Sequence, residues 1–363
     1  MADALAVIRV LALLAPAALT APLKAQTADA TNRTGVFLRY LNAPPAGSDL
    51  REPPHLSLSL GGRPLHAVMD TGSTGVVVSA SAIPGFEQLP KNGPAKLTYT
   101  SSGRIMQGVW VTVPVTVAGA NGASVTTRPM AVLAVTSVDC AETARNCTPR
   151  DDPRHVAMIG VGFGRRNRSG SQADSAADKN PFLNVSGPRA GALHRGYLVT
   201  RDGVEIGVPA SGPPTGFATV HLTRSEETGD WVTAPACIAV ADHAPACGTV
   251  LPDTGLTPMF LALPTDQGDG RALPAGNDRT LPPGTKVTIT LAPATPGSKS
   301  TAAYSFATGD MNNPLAPRRV ILVGDGDRPT YVNTGVHLLN GFDYLYDADQ
   351  GLVGYRPITR SPR

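Results

Sequence analysis

Two aspartates sit in near-identical turns of small residues, Asp70-Thr71-Gly72-Ser73 and Asp253-Thr254-Gly255-Leu256-Thr257, 183 positions apart. Each copy follows an apolar stretch, Leu65-His66-Ala67-Val68-Met69 before the first and Thr249-Val250-Leu251-Pro252 before the second. The repeat places one carboxylate in each half of the chain and points to a two-lobed molecule in which they meet. Two carboxylates within hydrogen-bonding range cannot both ionise cheaply, so one pKa rises and the pair shares a proton. The titration then belongs to the pair. Its ionised member can activate a water while the protonated member polarises a carbonyl, which hydrolyses a bond with no covalent intermediate. The glycines, Gly72 and Gly255, allow backbone to approach the carboxylates closely.

Other chemistries are poorly served. Gly160-Val161-Gly162-Phe163-Gly164 has half the glycines of a dinucleotide loop, but no helical pattern or spaced acidic residue follows it. There is no G-x-S-x-G nucleophile elbow and no H-E-x-x-H, and the seven histidines are scattered. Four cysteines fall as two close pairs, Cys140/Cys147 and Cys237/Cys247, without C-x-x-C spacing. In an exported chain that even count reads as two local disulfides, one closing a loop and one stapling a hairpin; free thiols are the alternative. No cofactor or metal is called for.

The elements that must carry the aspartates read as strands. The chain has 363 residues, of which 38 are Gly and 34 Pro, a content that favours short strands and tight turns over long helices. Gly35–Leu41 looks like a first strand, and His55–Leu60 alternates apolar and polar residues. Val76–Val78 follows the first motif, and Trp110–Val117 has period two. Tyr197–Thr200, Arg201-Asp202-Gly203 and Val204–Ile206 spell a hairpin, with Asp-Gly supplying the positive φ of a tight turn. Val287–Leu291 and Val320–Val323 continue the pattern. The polar stretch 165–191 is the best internal boundary, and 264–277 reads as a surface loop. The formal net charge of +3 lacks any clustered basic run, which disfavours nucleic acid as a partner.

At the N-terminus, Arg9–Leu19 is a short apolar core followed by small residues, with Ala25 as a cleavage point. It is too short to span a bilayer and fits a secretory signal peptide over residues 1–25. The mature chain is expected to be secreted or periplasmic, with no membrane-spanning segment.

Val68-Met69-Asp70-Thr71-Gly72-Ser73-Thr74 followed by Val76-Val77-Val78 resembles the first catalytic turn of the pepsin-like aspartic proteases. Trp231, then Cys237 to Cys247, then Val250-Leu251-Pro252-Asp253-Thr254-Gly255, is similar in layout to the second. Met158-Ile159-Gly160-Val161-Gly162-Phe163 resembles the family's crossing segment behind the first motif. Asn340–Asp347 with Gly351–Tyr355 is similar to its closing hairpin. The resemblance runs in family order from about residue 55 to 357. It implies a mostly β, two-lobed fold with the active-site cleft between lobes, residues 26–188 forming one and 189–363 the other. It implies an acid-active, monomeric endopeptidase that hydrolyses polypeptides. Asp70 and Asp253 become the catalytic pair, with Thr71, Thr254 and Ser73 as supports. Leu97–Arg104 falls where a flap hairpin closes over the cleft, with Tyr99 as its tyrosine.

The sequence also departs from that pattern. Leu256 stands where a hydroxyl residue commonly follows the second Asp-Thr-Gly, leaving the outer oxygen of Asp253 without that donor unless Thr257 replaces it. Pro252 removes a backbone donor before Asp253. Val77 stands where many members carry a tryptophan that braces the flap tyrosine. The second crossing segment is an inexact match, with Asn333-Thr334-Gly335 as its nearest counterpart. These departures leave a second expectation open, a pepsin-fold binding or envelope protein with little or no turnover. A retropepsin-like dimer is disfavoured, because one chain already holds both aspartates.

Overall fold

The computed structural model describes residues 35–359 apart from 143, 145–146, 166–175, 188–192, 265–272, 274–275, 277, 293–301 and 325–327. The leader expected over 1–25, the boundary expected at 188/189 and most of the loop expected at 264–277 lie outside the described residues. Among those described, the chain is mostly β, and its helical turns are five short 3-10 segments.

The strands form three sheets. A ten-stranded sheet holds all ten described strands from His55 to Val161 and carries Asp70 at the end of Leu65–Asp70. A seven-stranded sheet holds strands between Pro235 and Asn333 and carries the strand Ala246–Leu251, which leads to Asp253. The third sheet has six strands, one near the start of the described residues, three between Leu193 and His221 and two between Phe342 and Pro357, with Val36–Arg39 pairing antiparallel to Gly203–Pro209. Gly35–Leu41 therefore serves a sheet built otherwise from residues after 192, which no reading by halves anticipates.

Alternation explains the burial. In His55–Ser59 the two leucines are buried and the polar residues lie half-exposed, as a strand with one face on a core requires. Val76, Val77 and Val78 are all buried, because their strand is covered on both faces.

The expected strand Trp110–Val117 is two strands, Arg104–Val113 and Thr116–Ala118. Pro114 separates them, since it has no N–H for a ladder. The next N–H, that of Val115, goes instead to the Thr127 hydroxyl at 3.0 Å. The Asp202-Gly203 hairpin is present, with Leu193–Val199 against Gly203–Pro209, but Gly203 has no left-handed φ. Thr200 closes that turn through its hydroxyl, which accepts from the N–H groups of Asp202 and Gly203. Glycine is needed at 203 for space, because a Cβ there would lie 2.4 Å from the Leu38 carbonyl oxygen.

One arrangement occurs twice. The strand Ala157–Val161 lies between Leu65–Asp70, to which it is parallel, and Thr74–Ser79, to which it is antiparallel. Tyr331–Asn333 likewise lies between Ala246–Leu251, parallel, and Met259–Ala262, antiparallel. Each Asp-Thr-Gly turn thus leaves one strand, rounds the end of a crossing strand and returns along its other side.

Candidate active site

The two turns meet back to back. Thr71 N–H donates to Thr254 Oγ1 at 3.0 Å, and Thr254 N–H donates to Thr71 Oγ1 at 3.0 Å. Each hydroxyl then donates onward into the opposite turn, Thr71 to the Pro252 carbonyl at 2.7 Å and Thr254 to the Met69 carbonyl at 2.6 Å. Four buried hydrogen bonds related by near two-fold symmetry fix one turn against the other. Pro252 forfeits a donor, yet its carbonyl is one of these acceptors.

This lock brings the carboxylates together. A Cβ on Gly72 would lie 2.3 Å from the Asp253 carboxyl carbon, and one on Gly255 would lie 2.6 Å from that of Asp70. Each glycine therefore packs directly on the opposing aspartate, a contact that any side chain would destroy. Asp70 and Asp253 are each 6% exposed and within hydrogen-bonding range of one another.

Their near oxygens are held alike. Gly72 N–H donates to Asp70 Oδ1 at 2.6 Å, and Gly255 N–H to Asp253 Oδ1 at 2.9 Å. Their far oxygens are held differently. The Ser73 hydroxyl donates to Asp70 Oδ2 at 2.6 Å. Leu256 has no such group, and Thr257 does not replace it, lining instead a separate cavity of about 300 Å³ with Pro258 and His337. The donor to Asp253 Oδ2 is Asn333 Nδ2, at 2.6 Å. Asn333 was not among the residues expected to support the pair. Its signal lay in the inexact crossing segment, where a polar residue occupies a place that the first half gives to Met158.

Burial pushes the Asp253 carboxyl up to about 8, and the Asp70 charge acts in the same direction. The Asn333 amide and the Arg165 guanidinium oppose them. One proton is thereby retained by the pair across the acidic range.

Both carboxylates open into a cavity of about 850 Å³. Its roof is the hairpin of Pro94–Tyr99 and Arg104–Val113. Tyr99 ends the first of these strands, and its carbonyl accepts from Ser102 and Gly103 N–H groups at 3.1 and 2.8 Å, closing the turn. The Tyr99 ring packs on the apolar cluster of Val77, Leu97 and Met106. Its hydroxyl is shielded from solvent and has no partner among the described residues. With valine at 77, the cluster gives the ring apolar support and no polar group for the hydroxyl.

The two cysteine pairs are disulfides, Cys140–Cys147 and Cys237–Cys247. Cys237 and Cys247 face each other directly across the hairpin that leads into the second motif. Trp231 donates its indole N–H to the Ala348 carbonyl at 3.0 Å and lies against Gly351, tying this region to the six-stranded sheet. Among the described residues no cluster of three or more metal-ligating side chains occurs, and no helix is long and apolar enough to cross a membrane. No protein-family model matches the sequence, and comparison with curated proteins finds no match.

Proposed function

We propose that this chain is a pepsin-like aspartic endopeptidase, two-lobed, with Asp70 and Asp253 as its catalytic residues in the cleft between lobes. The observation that carries this reading is the reciprocal exchange between Thr71 and Thr254, which holds two buried carboxylates face to face. An arrangement so closely specified on both sides has little purpose except to keep the pair in register.

In this reading a water lies between the carboxylates and the scissile peptide enters the 850 Å³ cavity beneath Tyr99. The ionised carboxylate takes a proton from the water as its oxygen attacks the carbonyl carbon. The protonated carboxylate gives its proton to the carbonyl oxygen, forming a neutral gem-diol. Collapse of the gem-diol breaks the C–N bond, with a proton passing to the amine. The retained proton favours acid conditions. The two disulfides suit an oxidising compartment, and a monomeric secreted or periplasmic protein acting on polypeptides accords with the apolar leader.

The rival reading, a pepsin-fold binding protein with little turnover, drew on Leu256 and Pro252. Asn333 supplies the donor absent at 256, and the Pro252 carbonyl takes part in the threonine lock. Neither departure leaves the site incomplete. The test is to incubate the purified protein with a denatured protein substrate from acid to neutral pH, beside Asp70→Asn and Asp253→Asn. Cleavage by the wild type alone is expected. Equal cleavage by all three, or none at any pH, sinks the proposal.

A further inference from the structure

The far oxygens of the two aspartates are served by different chemistry from different places in the fold. Ser73 lies three positions after Asp70 in the same turn, and Leu256 holds the matching position after Asp253. On the crossing strands, Met158 pairs with the residue two before Asp70, and Asn333 pairs with the residue two before Asp253. Met158 and Asn333 are therefore counterparts, as Ser73 and Leu256 are. Each half has one apolar residue and one donor at this pair of positions, with the assignments exchanged.

The Asn333 amide has only one orientation compatible with its neighbours. Gly335 N–H donates to Asn333 Oδ1 at 3.0 Å, so Nδ2 is the end that faces Asp253. Asn333 is 6% exposed and lines the cavity beside Asp253. An amide N–H can only donate, whereas a serine hydroxyl can donate to a carboxylate or accept from a carboxylic acid. The amide therefore favours ionised Asp253, and Ser73 tolerates either state of Asp70.

We infer that Asn333 is a positioning residue that replaces the missing hydroxyl beside Asp253 and gives that carboxyl the donor that Ser73 gives Asp70. The other groups facing the pair are the Arg165 guanidinium, which also favours ionised Asp253, and the hydroxyls of Tyr331 near Asp253 and Tyr99 near Asp70. Tyr331 lies two residues before Asn333 on the same face of its strand.

The kinetic part of this inference rests on the endopeptidase reading, so the first measurement does not use turnover. The carboxyl ¹³C resonances of the aspartates are titrated in wild type, in Asn333→Leu and in Asn333→Leu/Leu256→Ser. Loss of a hydrogen bond to a charged group raises the first apparent ionisation of the pair by about one pH unit or more in the single variant. The added serine brings it back toward the wild-type value. An unchanged titration in the single variant, or a shift that serine does not reverse, overturns the inference. Should Asn333→Leu not fold, Asn333→Ser serves the same purpose, because its shorter side chain removes the amide with less added bulk.

If the wild type cleaves protein, kcat for Asn333→Leu falls between about tenfold and a hundredfold with KM little changed. The acid limb of its pH profile moves upward, and Leu256→Ser restores both. An inactive wild type with the expected NMR shifts removes the protease reading and leaves the role of Asn333 standing. An active wild type with unshifted variants does the reverse.

Discussion

Thr71 and Thr254 each accept the other's backbone N–H at 3.0 Å, so neither Asp-Thr-Gly turn holds its geometry without the other. Replacing either by valine keeps the volume and removes a hydroxyl that both accepts and donates. Each substitution leaves a buried N–H and a buried carbonyl unpaired, which costs about 1–3 kcal/mol per unpaired group. Each hydroxyl makes two of the four bonds, and the double variant Thr71→Val/Thr254→Val is expected to cost less than the sum of the singles, because losing either pair lets the turns move apart and weakens the other pair. Denaturant unfolding of the four proteins measures this, and strict additivity would contradict a reciprocal lock.

The protonation of Asp253 sets a pH dependence of folding. Its carboxyl titrates at about 8 in the folded protein against a usual 3.8, with burial the main cause and the Asp70 charge next. Below 3.8 both folded and unfolded states carry the proton, and stability is at its fullest. As pH rises the unfolded chain loses the proton first, so stability falls until the folded group also ionises near 8. Asp253→Asn is expected to abolish activity yet raise stability at pH 7 by on the order of a few kcal/mol, with no gain at pH 3. Melting temperatures at the two pH values decide it.

Tyr99 separates packing from hydrogen bonding at the roof of the cleft. Its hydroxyl is shielded and has no partner among the described residues, so Tyr99→Phe is expected to match or exceed wild-type stability by up to about 1 kcal/mol. Tyr99→Ala removes a ring that packs on the cluster joining the hairpin to Val77. Its loss of turnover should lie between about tenfold and a hundredfold. Equal effects of the two variants on peptide cleavage would show that the hydroxyl acts on substrate.

Cys237–Cys247 joins directly paired positions on the hairpin that delivers Asp253. Cys237→Ala/Cys247→Ala is expected to lose roughly 2–3 kcal/mol, through the entropy of a short loop in the unfolded chain. Strand pairing around it persists, so the variant at low temperature should keep the wild-type titration of the aspartates. A collapse of that titration would show the disulfide to be part of the site's geometry.

The sequence by itself determined whatever depends on near neighbours. The two Asp-Thr-Gly turns, the alternation in His55–Ser59, the hairpin at Asp202-Gly203 and the cysteine pairs were legible because strand period, turn chemistry and short loops are local properties. Pro114 was legible in principle, and period-two patterning across it hid the break. Tertiary structure decided what depends on the alignment of distant strands. Val36–Arg39 joins a sheet whose other strands lie more than 150 positions away, a pairing that its own residues do not specify. Asn333 reaches Asp253 across 80 positions because a parallel crossing strand sets the two side by side. Leu256 announced that a donor was missing, but only the register of that strand could say which residue supplies it.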